Sequence, residues 1–346
     1  MFRPLQSLQE KANRSNCYGR LLEKLYLFWS ELLLNYSNDM STPTNAARGL
    51  WQTEGLEWPG WALTGIGILG FTFTLPMTRL ALQAFDPITI AVVRGAGAGL
   101  AALVCLALSR DTFPTRDQIV RMFYAGLGIV IFFPLLISIG LQFVPATHAG
   151  VVQSILPLAT AFFGVVRGRE KASRGFWISA ILGAVLVAAF CQFRYRVGSI
   201  GIADIFVVLS FISCAYGYAE GALVTRELGG WKTICWILVI MLPLNLLGFL
   251  IYSLTHGLWR VPPSGEAWTG LTYLALVSQF LAFYFFYKGL ALGGVAKMSQ
   301  LQLLSPFLSI YAAHLVLGEV VDATVIVGAV LITAIVVAGR LSLRRG

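Results

Sequence analysis

Two charged side chains lie inside long apolar runs of this sequence. Arg94 lies within the run 88–109, and Glu220 lies within the run 202–225. A charged group inside a hydrocarbon environment costs free energy, so it usually contacts an opposite charge or takes part in function. Arg94 is therefore either a structural anchor or a contact for a bound solute. Glu220 has the same two interpretations. It is also the one candidate proton carrier, because we see no acidic residue at the centre of a run.

Neutral polar side chains occupy the centres of other apolar runs. They are Thr72, Thr74, Gln153, Ser210, Ser213, Tyr216, Asn245, Gln279 and Gln302. Such groups either bind a solute or join helices through hydrogen bonds, each contributing about 0.6 kcal/mol. We single out Gln153 and Gln302 as binding residues, because an internal repeat described below relates them and would put both near the interface of the two halves. Each also lies a few residues before a proline, Pro157 or Pro306. A proline removes a helix hydrogen bond and can expose backbone near a site.

Other patterns do not point to catalysis or to a metal. The residues concerned are His148, His256, His314 and five cysteines without a C-x-x-C pair. The histidines have neither metal-ligand spacing nor a Ser or Cys partner. The glycines of Gly95–Gly99 resemble a phosphate loop but lie in an apolar run without lysine, which favours close helix packing. The sequence thus predicts no catalytic residue, no metal site and no cofactor.

The composition is that of a membrane protein. The 346 residues are 57% hydrophobic and 12% charged, and soluble domains carry about twice that share of charge. The net charge of +9 could indicate nucleic acid. In an apolar chain it instead indicates basic cytoplasmic loops. We therefore expect a lipid bilayer as the surroundings and no nucleic-acid partner.

Ten apolar runs are long enough to cross a bilayer, which takes about 20 residues per helix. They are 61–82, 88–109, 119–141, 146–166, 175–193, 202–225, 233–254, 268–287, 297–317 and 322–339. Their continuity favours helices over barrel strands, which would alternate in polarity. The predicted fold class is an all-α integral membrane protein with ten transmembrane helices.

An internal repeat relates the two halves of the chain. A shift of 149 residues places Gln153 on Gln302, Pro157 on Pro306 and Glu170 on Glu319. Because five helices is an odd number, the second half must insert upside down. Inverted repeats are typical of secondary transporters, whose substrate site lies near the midplane between the halves.

At these residues the chain resembles the drug/metabolite transporter superfamily, specifically its EamA-type members. The stretches that carry the resemblance are Asp86–Arg94, Gly140–Glu170 and Gly289–Glu319. The resemblance implies two inverted five-helix repeats, here 61–193 and 202–340, and transport of small metabolites. One departure is the first-half loop, which reads Arg-Gly-Arg-Glu where the second half has Leu-Gly-Glu.

The first 60 residues have no counterpart in that family. Residues 20–36 are apolar but contain Glu23, Lys24 and Glu31, so we expect an interfacial amphipathic helix or a disordered segment. Lys and Arg concentrate in the loops after the second, fourth, sixth and eighth runs. This predicts that both termini lie in the cytoplasm. The membrane we expect is the bacterial inner membrane.

The function predicted from these features is secondary transport of an amino acid or related small solute by alternating access, with export as the expected direction. The expected contacts of the solute are Gln153, Gln302, Tyr216, Gln279, Glu220 and Arg94. The alternative is a non-transporting membrane receptor or a membrane-embedded enzyme. A homodimer is one of the assemblies that the sequence leaves open.

Overall fold

The chain is described by a computed structural model over residues 57–109, 113–168, 174–194, 202–257, 261–293 and 299–343. In these ranges the ordered elements are all helical and no strand occurs. This confirms the all-α class for the part of the chain that the structure describes. The predicted N-terminal extension lies outside these ranges up to residue 56.

The helices follow the apolar runs. Their bounds are α1 Glu57–Thr72, α2 Thr74–Ala81, α3 Pro87–Ser109, α4 Arg116–Gly126, α5 Phe133–Gly140, α6 Ala146–Val152, α7 Leu156–Gly168, α8 Arg174–Arg194, α9 Ile202–Leu228, α10 Gly230–His256, α11 Gly265–Thr272, α12 Ala282–Gly293, α13 Ser305–Leu317 and α14 Ala323–Leu343. The first begins at Glu57, earlier than the predicted start at 61, and is separated from α2 by Phe73.

Seven helices among the described residues are long and apolar enough to cross a membrane. They are Trp58–Ala81, Pro87–Ser109, Arg116–Gly140, Ala146–Arg167, Ile202–Thr225, Gly230–His256 and Gly265–Leu290. Three shorter apolar helices are Trp177–Val187, Leu301–Leu317 and Ala323–Ala338. The protein is thus a multi-pass membrane protein. All ten predicted runs contain helix, but the count of ten spans stays a prediction.

Local sequence signals explain where some helices begin. Thr115 and Gln118 form a capping box at the start of α4, each side chain bonding the backbone N–H of the other. The Ser264 hydroxyl accepts a hydrogen bond from the N–H of Ala267 at the start of α11. These caps satisfy backbone donors that the first helical turn leaves without partners.

Irregular helix segments recur at repeat-related places. A π-helical segment, Leu127–Phe132, joins α4 to α5, and another, Tyr273–Leu281, joins α11 to α12. Two 3₁₀ segments, Gln153–Ile155 and Ser299–Leu304, precede α7 and α13. Such departures from α-helix often mark functional sites. Each 3₁₀ segment contains one of the glutamines selected from the sequence.

The helices of one half pack mainly on those of the other. The principal pairs are α1 with α12, α3 with α10, α8 with α14, and α9 with both α5 and α7. Glycines allow the close approach of α3 to α10. A Cβ atom on Gly95 would lie 2.3 Å from Asn245 Oδ1, and one on Gly99 would lie 2.9 Å from a methyl carbon of Leu242. The predicted packing role of Gly95–Gly99 is confirmed.

Candidate functional site

A small polar cavity lies where the two halves meet. Eight helices and both 3₁₀ segments contribute to its lining; the helices are α1, α2, α3, α5, α7, α9, α12 and α13. The lining residues are Phe71, Thr74, Leu75, Arg94, Phe133, Gln153, Leu156, Phe211, Cys214, Tyr218, Phe283, Gln302 and Ser305. The cavity volume is about 30 Å³. That is room for roughly two water molecules. In this conformation the site is therefore narrow.

Arg94 is the charged group of this cavity and is 1% exposed. Its Nη2 donates a hydrogen bond to Ser278 Oγ at 3.2 Å, and that hydroxyl lies 2.7 Å from Thr74 Oγ1. The guanidinium also lies 5.5 Å from the centre of the Phe133 ring. Among the described residues, no Asp or Glu forms an ion pair with Arg94. The guanidinium is thus held by a hydroxyl chain and an aromatic ring.

Gln153 and Gln302 both line the cavity, one from each half. Both side chains are buried. Gln153 Oε1 is buried and has no hydrogen-bond partner among the described residues. A buried amide oxygen without a partner costs free energy, and a donor that enters the cavity would relieve that cost. The structure therefore brings together three of the predicted site residues: Arg94, Gln153 and Gln302.

Gln279 and Tyr216 lie outside this lining. Gln279 Nε2 donates to the carbonyl of Ile129 at 3.2 Å, which joins the two π-helical segments. The Tyr216 ring packs edge-on against Phe163 with the ring centres 5.5 Å apart. Gln279 therefore joins helices through a hydrogen bond, which was the alternative to solute binding in the sequence analysis. Tyr216 packs between α9 and α7 rather than facing the cavity.

Glu220 also lies outside the cavity lining, where it forms an ion pair. Its buried Oε1 accepts a hydrogen bond from Arg167 Nε, and the Arg167 side chain is 49% exposed. Arg167 lies near the end of α7 and Glu220 lies on α9. This pair joins the two halves at one end of these helices.

A second buried pair, which the sequence analysis missed, joins the same two parts of the chain at the other end of α9. His148 Nε2 and Asp204 Oδ1 lie 2.7 Å apart, and both side chains are almost fully buried. In the sequence His148 is one of three scattered histidines, and Asp204 is not among the predicted site residues. Its place in the first turn of the apolar run 202–225 was the signal available.

Glu319 makes a further contact between the halves. Its two carboxylate oxygens accept hydrogen bonds from the backbone N–H groups of Ala146 at 2.9 Å and Thr147 at 2.7 Å. These N–H groups begin α6, where a negative charge is favoured by the helix dipole. The repeat shift pairs Glu319 with Glu170 in the sequence but predicts no contact for it.

A larger hollow of about 250 Å³ lies between α13 and α14. Its lining is Phe307, Ile310, Tyr311, His314, Val321, Ile326 and Ala329. The lining comes from one half only and is mainly apolar, and Tyr311 is 60% exposed. A site between the halves needs groups from both, so the cavity around Arg94 is the better candidate.

Comparison with known proteins agrees with the fold and the repeat. The model of the EamA-like transporter family matches the chain twice, at residues 56–190 and 201–338. The "Uncharacterized transporter YdeK" of Bacillus subtilis (strain 168) is 41% identical over 261 residues, 75% of this chain and 89% of its own length. The "Uncharacterized transporter YvbV" of the same organism is 24% identical over 269 residues, 74% of this chain and 83% of its own.

A solved crystal structure shares the fold. It aligns with a TM-score of 0.56 at 16% identity and covers 84% of this chain and 99% of its own. The match to the family over most of the chain and the identity to YdeK agree with each other. The chain therefore belongs to the EamA-like transporter family.

Proposed function

We propose that this protein carries a small organic solute, an amino acid or related metabolite, out of the cell by alternating access. The cavity around Arg94, Gln153 and Gln302 would be the solute site. The observation that supports this most directly is that repeat-related glutamines from the two halves line one cavity. In transporters built from inverted repeats, the substrate site lies at the interface of the repeats.

The helix packing supports a two-fold relation between the halves. The contact of α1 with α12 has its counterpart in that of α5 with α9. The π-helical and 3₁₀ segments recur in both halves, and the family model matches each half once. We therefore take the architecture to be ten spans in two inverted five-helix repeats, 61–193 and 202–340.

The narrowness of the cavity supports a cycle in which the halves change their separation. A volume of about 30 Å³ is too small for an amino acid, so the halves must separate for a solute to enter. The Arg167–Glu220 pair and the Glu319 cap both join α6 or α7 to the second half. They are the contacts that such a separation would break. The distribution of Lys and Arg supports cytoplasmic termini, and the proposed location is a bacterial inner membrane.

The test is transport by the purified full-length protein in liposomes, with labelled amino acids, amines and purines as solutes. We expect Q153L and Q302L each to slow transport about fivefold to tenfold, since each removes a hydrogen bond of about 1 kcal/mol and leaves its partner unpaired. Q142L is the matched control, because Gln142 does not line the cavity. Absence of transport for every solute, or equal losses in Q142L, would overturn the proposal.

A further inference from the structure

The charge of Arg94 is unusual among the buried ionisable groups of the described residues. Asp204 lies against His148 and Glu220 lies against Arg167. Arg94 is equally buried, and no described acidic side chain pairs with it. A guanidinium keeps its charge in any protein environment. A buried charge is stable only when it is paired and hydrogen-bonded.

The guanidinium has an N–H donor that no described residue uses. Nη2 is used by Ser278. Nε is buried and has no partner among the described residues. The planar guanidinium presents its N–H groups in a fork that matches the two oxygens of a carboxylate. Thr74 bonds the Ser278 hydroxyl that holds Nη2, and the Phe133 ring lies against the guanidinium. The fork is therefore positioned before a ligand arrives.

We propose that Arg94 is the receptor for an anionic group of the solute, specifically a carboxylate. This inference rests on the proposed transport function and narrows its substrate class. The solute's carboxylate supplies the negative charge that the described protein residues do not. Arg94 is then a solute-binding residue, in place of the structural-anchor interpretation that the sequence left open.

The same cavity has an acceptor for the rest of the solute. Gln153 Oε1 lines it and is buried without a partner among the described residues, so it accepts a hydrogen bond from an N–H or O–H group. Phe133, Phe211 and Phe283 supply an apolar and aromatic lining. The chemistry favours a small carboxylic acid that also carries a hydrogen-bond donor, such as an α-amino acid.

The experiment compares two solute mixtures in liposomes that contain the full-length protein. One mixture holds the standard α-amino acids, and the other holds their primary amides, which keep the amine and lack the carboxylate. Efflux is followed by mass spectrometry against protein-free liposomes. We expect the wild type to move one or more amino acids at least tenfold faster than the matching amides. R94Q should lose that preference.

Two variants serve as comparisons. R79Q removes an equal charge from a residue that bonds the Leu141 carbonyl and does not line the cavity, so it should keep the preference. R94K keeps the charge but not the fork, so it should keep the preference with about tenfold weaker apparent affinity. If R94Q does not fold, a competition experiment on the wild type tests the proposal. At pH 7, isovalerate should compete with amino-acid transport and isopentylamine should not.

The outcomes separate the two proposals. Transport of amino acids and amides at equal rates by the wild type would overturn the role of Arg94 and leave the transport function standing. The role of Arg94 would also be overturned if R94Q still preferred amino acids to their amides, or if isovalerate and isopentylamine competed equally. Failure of the wild type to move any solute would overturn both.

Discussion

Glu220 is a buried carboxylate with a half-exposed partner. Arg167 bonds one of its oxygens, and Oε2 has no partner among the described residues. Tyr216 and Tyr124 are the other titratable groups near Arg167. A buried carboxylate needs the charge of Arg167 while the pair is closed. The sequence indicates Glu220 as the one candidate proton carrier, and that role stays a prediction.

We expect Glu220→Gln to abolish the pH dependence of transport, because the amide cannot exchange a proton. Glu227→Gln is the control, since Glu227 lies on the same helix, is exposed and bonds Gln118 and Arg121. The measurement is uptake into liposomes over pH 5.5–8.5. Full pH dependence in the Glu220 variant would remove this carboxylate as the proton carrier and favour a facilitative carrier.

At the scale of elements, α1 and α12 depend on a glycine for their contact. A Cβ atom on Gly67 would lie 2.7 Å from the Ala282 carbonyl oxygen and from Phe286 Cβ. A Cβ atom on Gly164 of α7 would meet nothing within 4 Å. Small residues allow helix backbones to approach closely in membranes, where van der Waals packing drives association.

Gly67→Ala should therefore lower stability by about 1–3 kcal/mol through overpacking. Gly164→Ala should be neutral, or stabilising by up to about 1 kcal/mol from helix propensity. Thermal unfolding of both variants in the same detergent measures the difference. Equal melting temperatures would show that α1 and α12 do not approach as closely as described.

The cap that Glu319 places on α6 is a second element-scale feature. Glu319→Ala removes two hydrogen bonds and a negative charge from a helix start, a loss of about 1–2 kcal/mol. Because Glu319 belongs to the other half, this end of the interface should open more often. Maleimide labelling of Thr147→Cys, read by peptide mass spectrometry, should become several-fold faster in the Glu319→Ala background. Glu319→Gln keeps one acceptor, so its labelling rate should lie between those of the wild type and Glu319→Ala. An unchanged rate in Glu319→Ala would show that the cap does not hold this end closed.

At the scale of the whole molecule, the proposed inverted repeat would place related segments on opposite sides of the membrane. The segment 167–174 ends in Arg174 at the start of α8, and 318–322 contains Val320, which is 75% exposed. Membrane-impermeant labelling of Arg174→Cys should occur from the cytoplasmic side, and that of Val320→Cys from the outside. Labelling of both from one side would refute the inverted architecture.

The sequence by itself determined the class and the elements of this protein. Hydrocarbon forces backbone groups to bond within their own segment, so a long apolar run becomes a helix whatever its neighbours are. The repeat shift placed Gln153 and Gln302 together, and both line one cavity. The glycines of Gly95–Gly99 predicted the close contact of α3 with α10, because the missing side chain is itself the cause of the approach.

The tertiary structure decided which polar groups meet. Arg94 and Ser278 are 184 positions apart, and His148 and Asp204 are 56 apart. Their meeting depends on how each helix is rotated about its axis. In a soluble helix an apolar stripe reveals that rotation. In a membrane both the lipid-facing and the buried sides of a helix are apolar, so the sequence does not reveal the rotation. The sequence could identify Arg94 and Glu220 as candidate site residues. Only the packing of the helices gave Glu220 a partner and left Arg94 facing the cavity.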